Sequence, residues 1–114
     1  MNKENTGKLI DAFPSLYPNR LFVGCGDGWY QLLIELSTEI LSMSARFGID
    51  PPTINSISEK HGGLRIDIAT TNHEIINLVN DYENKSESIC DVCGAKGQIR
   101  DDRFVMKTRC DEHK

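Results

Sequence analysis

Two pairs of metal-ligand residues at matching spacing constrain this chain more than any other feature. Cys90 and Cys93 are separated by two residues, and Cys110 and His113 repeat that spacing after an insert of sixteen residues. Three thiolates and one imidazole form a closed tetrahedral ligand set, which is typical of structural Zn²⁺ sites and leaves no open position for a substrate. The spacing therefore predicts one structural zinc ion held by Cys90, Cys93, Cys110 and His113, with no catalytic residue.

The residues alone leave other assignments of this cluster open. The cysteines could be free thiols, or two of them could form a disulfide, although cysteine pairs at this spacing in a reducing cytosol are more often metal ligands. His113 is the weakest member of the set because only one residue follows it, and Asp111 or a water molecule could fill the fourth position instead. Gly94 fits a tight knuckle in which backbone N–H groups point at sulfur.

Length and charge limit the classes of protein that this chain can represent. Its 114 residues allow one domain, or one domain with a small metal module. An apolar run of about 20 residues is absent, and so is an apolar signal-peptide core, so we expect a cytoplasmic protein without a membrane partner. Residues 1–89 carry 7 Lys/Arg and 12 Asp/Glu, a formal charge of −5, whereas residues 90–114 carry 6 and 5, a charge of +1. This balance disfavours nucleic acid as the partner.

Apolar residues at three- and four-residue spacing predict the longest helix over residues 28–47. This stripe consists of Trp29, Leu32, Leu33, Leu36, Ile40, Met43 and Phe47. Asp27 directly precedes it and is the predicted N-cap, because a carboxylate suits the positive end of a helix. A short helix over residues 2–13 and a short strand over residues 21–23 are expected before it.

A β-hairpin and a further helix are predicted after this long helix. Strands over 53–60 and 64–70 are joined by the turn His61-Gly62-Gly63, and the second strand alternates apolar and polar residues. Asn72 is the predicted N-cap of a helix over 73–88. The second half of that helix is polar, so we expect it to project beyond the core and to lead to Cys90.

These elements predict an α+β protein in which two main helices pack on a β-hairpin. We expect residues 1–89 to form this body. Residues 90–114 are expected to form a zinc-ribbon or treble-clef-like tail that packs on the body or extends from it. Within the tail, Gln98-Ile99-Arg100 and the segment 104–108 are predicted to form a second hairpin around Asp101-Asp102.

Two functional hypotheses apply to the segment Gly24-Cys25-Gly26-Asp27-Gly28: a phosphate-binding loop and a reactive cysteine. A phosphate-binding loop is disfavoured, because the dinucleotide fingerprint requires glycine where Trp29 stands and a P-loop requires Lys-Ser/Thr. Cys25 lies before a helix N-terminus, which can lower a thiol pKa, and His61 or His73 could serve as its base. A turn followed by a buried thiol is the simpler reading, and an enzyme that uses Cys25 stays an alternative.

A second alternative is a nucleic-acid-binding zinc module. Basic residues lie in and around the predicted tail hairpin, where they could contact phosphates: Lys96, Arg100, Arg103, Lys107 and Arg109. The acidic body instead favours a partner with a basic surface. With no assembled catalytic group in the sequence, we expect a non-enzymatic protein that acts by protein–protein interaction; its oligomeric state is not indicated.

Four segments in this order resemble a family of small phage and prophage proteins. They are Gly26-Asp27-Gly28-Trp29, Glu59-Lys60-His61-Gly62-Gly63-Leu64-Arg65, Cys90-x-x-Cys93-Gly94 and Cys110-Asp111-Glu112-His113. The resemblance covers roughly residues 13–113 and departs from the family pattern at His61, where an aromatic residue is common. The resemblance implies no established enzymatic reaction for this chain. It implies a phage-encoded accessory protein whose partner is a host protein, including host defence machinery.

Overall fold

The computed structural model describes residues 1–18, 21–101 and 105–114. Three helices lie in this part of the chain: α1 (Lys3–Ala12), α2 (Tyr30–Phe47) and α3 (His73–Ser86). The strands are β1 (Phe22–Gly24), β2 (Thr53–Lys60), β3 (Gly63–Ala69), β4 (Gln98–Arg100) and β5 (Lys107–Arg109). A 3₁₀ turn over Asp27–Trp29 joins β1 to α2. The predicted mixture of helices and a small sheet is confirmed.

The main sheet has three strands in the order β1-β2-β3. The predicted hairpin is confirmed, since β2 and β3 pair antiparallel with Ile57 opposite Ile66. The sequence did not indicate that β1 pairs parallel to β2, with Val23 opposite Ile57. Parallel strands require a crossover, and α2 supplies it. The carboxyl ends of β1 and β2 therefore meet at one edge of the sheet.

One face of this sheet packs against the helices and forms the core. The largest side chains that are fully buried include Trp29, Leu33, Leu36, Ile40, Ile54, Ile57, Leu64 and Ile75. The predicted alternation along β3 is confirmed, because Leu64, Ile66 and Ile68 are more buried than Arg65 and Asp67. The side chains of the predicted apolar stripe pack in or against the core, except at the end of α2, where Phe47 is 40% exposed.

Of the two predicted helix caps, one is confirmed and one is wrong. The Asn72 side chain accepts hydrogen bonds from the backbone N–H groups of Glu74 and Ile75 at 3.0 and 3.1 Å, as expected for the N-cap of α3. Asp27 does not cap α2, because a 3₁₀ turn intervenes and α2 begins at Tyr30. Its carboxylate instead accepts hydrogen bonds from the Asn2 backbone, at 2.8 Å, and the Asn5 side chain. Asp27 thus ties α1 to the chain before α2.

The expectation that the second half of α3 projects beyond the core is wrong. The Ser86 hydroxyl accepts a hydrogen bond from the Leu64 backbone N–H at 2.9 Å, and the Glu83 carboxylate accepts one from Ile66 at the same distance. Polar side chains of α3 therefore satisfy the outer edge of β3, which would otherwise present unpaired N–H groups. Because α3 is fixed to the sheet up to Ser86, the chain after it starts from a defined position.

The tail contains the second, two-stranded sheet. Strands β4 and β5 pair antiparallel, with Ile99 opposite Thr108. The predicted tail hairpin is therefore confirmed for the residues that the structure describes. Part of the expected turn and strand, including Asp102, Arg103 and Phe104, lies outside the described residues.

Candidate metal centre

The four predicted ligands come together in the tail. Cys90 and Cys93 follow α3, while Cys110 and His113 follow β5. One ligand atom from each of the four residues lies within 4.8 Å of all the others. This group could therefore hold a metal ion.

Local backbone geometry positions the first pair. Residues 90–94 form a tight turn, here called the knuckle, in which the Gly94 N–H donates to the Cys90 carbonyl at 2.9 Å. Gly94 has φ +82, a conformation that side chains disfavour, which explains the glycine directly after Cys93. The Cys90 N–H also donates to the Ala95 carbonyl at 2.8 Å. The knuckle is thus closed by backbone bonds on both sides of the ligand pair.

The tail hairpin brings the second pair to the knuckle. The Asp91 N–H donates to the Thr108 carbonyl of β5 at 3.0 Å, so a backbone hydrogen bond joins the knuckle to the tail hairpin. Cys110 comes two residues after Thr108, and the His113 N–H donates to the Cys110 carbonyl at 3.1 Å. A short turn therefore returns the imidazole towards the thiols, although His113 stands near the end of the sequence.

Two of the three short distances between ligand atoms lie within about 0.2 Å of tetrahedral coordination, and the third, between Cys110 Sγ and His113 Nδ1, is shorter. Two thiolates bound at about 2.3 Å to one zinc ion would lie about 3.8 Å apart, and a thiolate and an imidazole nitrogen about 3.6 Å apart. Cys93 Sγ and Cys110 Sγ are 3.7 Å apart, and His113 Nδ1 is 3.8 Å from Cys90 Sγ and 3.1 Å from Cys110 Sγ. All four cysteines are free thiols. The structure thus disagrees with the disulfide alternative.

Asp111, the alternative fourth ligand, is engaged elsewhere. Its carboxylate accepts a hydrogen bond from the Arg100 guanidinium at 2.8 Å. This contact with Arg100 lowers the pKa of Asp111. Of the two candidates, only His113 belongs to the ligand group.

The surroundings of Cys90 favour a metal-binding thiolate. Burial of its sulfur opposes ionisation, but backbone N–H groups of Cys110, Cys93 and Val92 outweigh that effect and lower the pKa of Cys90 to about 6. N–H groups directed at a ligand sulfur are the outer-shell arrangement that orients and stabilises thiolate ligands. Four candidate ligands and N–H donors to one of their sulfurs therefore lie in the same cluster.

The glycine-rich segment after β1 is the surface on which the knuckle docks. A β-carbon on Gly26 would lie 1.9 Å from the Asp91 carbonyl oxygen, and one on Gly28 would lie 2.1 Å from the Cys90 carbonyl oxygen. The Gly28 N–H donates to the Asp91 carbonyl at 3.0 Å. These glycines thus allow close backbone approach to the knuckle, and the Gly28 amide is unavailable to a phosphate.

Trp29 completes this contact from within the core. Its indole Nε1 donates to the Ile89 carbonyl at 2.9 Å, although its ring is fully buried. The sequence marked Trp29 as a core residue but did not indicate its link to the tail. A glycine-rich segment followed by tryptophan thus serves the packing of the tail.

Polar contacts join a second part of the body to the hairpin of the tail. The Thr108 hydroxyl donates to the Gly62 carbonyl in the turn between β2 and β3. Lys107 forms an ion pair with Glu59 at the end of β2. Within the tail, Arg109 pairs with Asp91, whose side chain is only 6% exposed. Sequence reasoning missed the roles of Glu59 and Asp91, because neither has a local signal that names its distant partner.

Three of the basic residues proposed to contact phosphates are engaged by carboxylates. Arg100 pairs with Asp111, Lys107 with Glu59, and Arg109 with Asp91. Arg103 lies outside the described residues. These ion pairs neutralise much of the positive charge that a phosphate backbone would need.

Cys25, the alternative nucleophile, lies in a different environment. It is 7% exposed, and burial raises the pKa of its thiol to about 11. His61 lies in the turn between β2 and β3 and His73 begins α3; both are exposed. At neutral pH the Cys25 thiol is therefore protonated, which does not favour nucleophilic attack.

A cleft of about 400 Å³ lies between body and tail, at the carboxyl ends of β1 and β2. Residues 24–27 and Glu59 line it from the body, and Asp91, Val92 and Lys107 line it from the tail. Because the body and the tail both line the cleft, its shape depends on how the tail packs against the body.

Comparisons with protein-family models, curated proteins and solved structures found no match to this chain. Within residues 1–18, 21–101 and 105–114, the helices lack the combined length and apolar character that crossing a bilayer requires.

Proposed function

We propose that this chain is a zinc-binding protein in which one structural Zn²⁺ is held by Cys90, Cys93, Cys110 and His113. The observation that carries the proposal is that all four ligand atoms lie within 4.8 Å of one another. Their spacing supports tetrahedral coordination, and three thiolates with one imidazole suit zinc. Bound zinc would supply binding free energy that holds the knuckle and the hairpin together. The tail is then a zinc-ribbon or treble-clef-like module.

Metal analysis tests this proposal with two matched cysteine variants. The purified protein is expected to contain about one zinc per chain, as structural sites do. Cys93→Ser should lose the metal, whereas Cys25→Ser should keep it because Cys25 lies outside the ligand group. Chelation should increase hydrogen exchange in residues 90–114 before the body unfolds. Full zinc in Cys93→Ser would refute the ligand set.

The protein carrying this centre is proposed to act by binding another protein rather than by catalysis. A closed ligand set supports a structural metal, and the buried, protonated Cys25 thiol weighs against an enzyme that uses Cys25 as its nucleophile. The ion pairs of Arg100, Lys107 and Arg109 weigh against the nucleic-acid alternative. The formal charge of −5 on residues 1–89 favours a partner with a basic surface.

Exposed apolar side chains beside the cleft suggest where such a partner docks. Phe22 is 68% exposed, and its ring covers Gly24, since a β-carbon there would lie 2.7 Å from the Phe22 ring. Val92 is 42% exposed and lines the cleft that Gly24 also lines. Aromatic side chains, phenylalanine included, are enriched in protein interfaces relative to the rest of the surface.

Affinity capture from a bacterial lysate tests this interaction with a matched pair of variants. Phe22→Asp removes the exposed aromatic beside the cleft, while Phe47→Asp removes another exposed phenylalanine at the end of α2. A specific partner should be retained by the wild type and by Phe47→Asp, and lost by Phe22→Asp. Absence of any specific protein partner would contradict the proposed mode of action.

The proposed setting is the cytoplasm of a bacterial host, with the chain encoded by a phage and the partner supplied by the host. The resemblance of its four segments to phage and prophage proteins supports this origin, and host defence machinery is the proposed partner class. Infection of a strain that expresses the chain would test the role, since inhibition of a defence system should raise the plating efficiency of a restricted phage.

A further inference from the structure

One of the four metal ligands is open to small reagents. Cys93 is exposed, whereas Cys90 is fully buried and Cys110 is 8% exposed. Cys93 also lines a cleft of about 340 Å³ between the knuckle and the start of α2. A molecule of the size of hydrogen peroxide can therefore reach this sulfur before it reaches the other ligands.

Cys110 is the thiol placed to react with an oxidised Cys93. Their sulfur atoms are 3.7 Å apart, and a disulfide requires about 2.05 Å, so side-chain rotation must close the remaining gap. Cys90 is the competing partner. Cys90 and Cys110 are both buried, but backbone N–H groups that donate to the Cys90 sulfur hold it in place. Cys25 is buried and lies outside the ligand group.

We propose that Cys93 is a site of oxidation by hydroperoxides and that it forms a reversible disulfide with Cys110, with loss of the metal. This inference rests on the zinc centre proposed above. The Cys93 thiolate attacks one peroxide oxygen, breaks the O–O bond and expels hydroxide, which leaves a sulfenic acid. The Cys110 thiolate then attacks the Cys93 sulfur and expels a second hydroxide. Two electrons from the two sulfurs reduce one peroxide, and only Cys90 and His113 remain as ligands.

The oxidised chain keeps the connection that the metal made. Cys93 belongs to the knuckle and Cys110 follows β5, so the disulfide joins the same two segments as the metal does. Contacts between the knuckle and the body, such as the Gly28–Asp91 hydrogen bond, can persist in this form. Chelation without oxidation removes the metal and leaves no such link. Oxidised and chelated proteins should therefore differ although both lack zinc.

The experiment treats zinc-loaded protein with increasing hydrogen peroxide and follows zinc release with a chromophoric chelator. Peptide mapping identifies the disulfide, and limited proteolysis compares oxidised with chelated protein. One zinc should be released for each Cys93–Cys110 disulfide, and a thiol reductant with added zinc should restore the metal. Oxidised protein should resist proteolysis of the tail better than chelated protein. Cys25→Ser should behave as the wild type.

The other possible outcomes would contradict the oxidation of Cys93, its pairing with Cys110 or the zinc centre itself. Zinc that stays bound after peroxide treatment would overturn this inference and leave the zinc centre intact. A disulfide between Cys90 and Cys93, or a Cys93 sulfinic acid without disulfide, would overturn the proposed pairing. Reduced protein that contains no zinc would overturn the zinc centre and the inference together.

Discussion

Gly28→Ala should loosen the tail, because the added methyl group would enter the backbone of the knuckle. The new β-carbon would lie 2.1 Å from the Cys90 carbonyl oxygen, 2.6 Å from the Asp91 carbonyl carbon and 2.8 Å from the Gly94 nitrogen. Favourable contacts between carbon atoms lie at about 3.5–4.0 Å. All three neighbours are backbone atoms, so rotation of a flexible side chain cannot relieve the overlap.

The knuckle can respond to this overlap in two ways, and both lower the free energy of unfolding by a similar amount. If the knuckle stays in place, overpacking costs about 1–3 kcal/mol. If the knuckle moves away, the hydrogen bonds from Gly28 N–H to Asp91 and from the Trp29 indole to Ile89 are lost. Each such bond contributes about 1 kcal/mol. We therefore expect Gly28→Ala to lower the free energy of unfolding by about 2 kcal/mol.

Urea denaturation at saturating zinc measures this change, and hydrogen exchange locates it. The Asp91 and Gly94 amides should exchange faster in the variant, because both donate hydrogen bonds within the tail. Gly7→Ala is the matched control: a β-carbon at Gly7 meets nothing within 4 Å, and alanine stabilises a helix interior by up to about 1 kcal/mol. An unchanged midpoint with unchanged exchange at Asp91 in Gly28→Ala would refute the proposed docking.

Three further predictions concern other contacts. Ser86→Ala should cost about 1–3 kcal/mol in urea denaturation, because the buried Leu64 N–H loses its acceptor, whereas the exposed Ser88→Ala should change stability by less than about 0.5 kcal/mol; equal effects would contradict this role. Burial raises the pKa of the Cys25 thiol from 9.0 to about 11, so the unfolded chain loses the proton first, and folding stability falls by up to about 3 kcal/mol as pH rises from 9 to 11. Cys25→Ala should therefore weaken the alkaline loss of stability in denaturation at pH 8 and 10.5, and an identical loss would contradict the burial argument. Fluorescence anisotropy with labelled DNA and RNA should show no salt-dependent binding, since Arg100 is paired with Asp111; binding at low salt that Arg100→Glu abolishes would revive the nucleic-acid alternative.

Local patterns predicted the helices, the β2–β3 hairpin and the four clustered ligands. Each of these signals lies within a few neighbouring residues: the Asn72 cap acts two and three residues ahead, and the ligand pairs have fixed spacing. Periodicity reports which face of an element is buried but not which element covers it. The parallel pairing of β1 with β2 depends on a crossover through α2, so no short pattern could indicate it.

The wrong predictions share a physical cause. Aspartate is a common N-cap residue, but the Asp27 carboxylate accepts hydrogen bonds from Asn2 and Asn5 instead of capping α2. The polar end of α3 reads as a solvated face, yet Glu83 and Ser86 satisfy backbone donors of β3. A polar residue that bonds the backbone of a distant strand has the same local sequence as one in water. Tertiary partners therefore decided the positions at which local reasoning failed.

The hydrogen bond between Trp29 and Ile89 spans 60 positions of the chain, which has a consequence for the order of folding during synthesis. When the segment around Gly28 leaves the ribosome, the knuckle that it packs against has not yet been made. Contacts of such high sequence separation form late and slow folding. Until residues 90–94 emerge, Gly26 and Gly28 leave an exposed notch beside Trp29. We therefore expect nascent chains that stop before the knuckle to remain protease-sensitive around residue 28, and metal uptake to coincide with the closing of this notch.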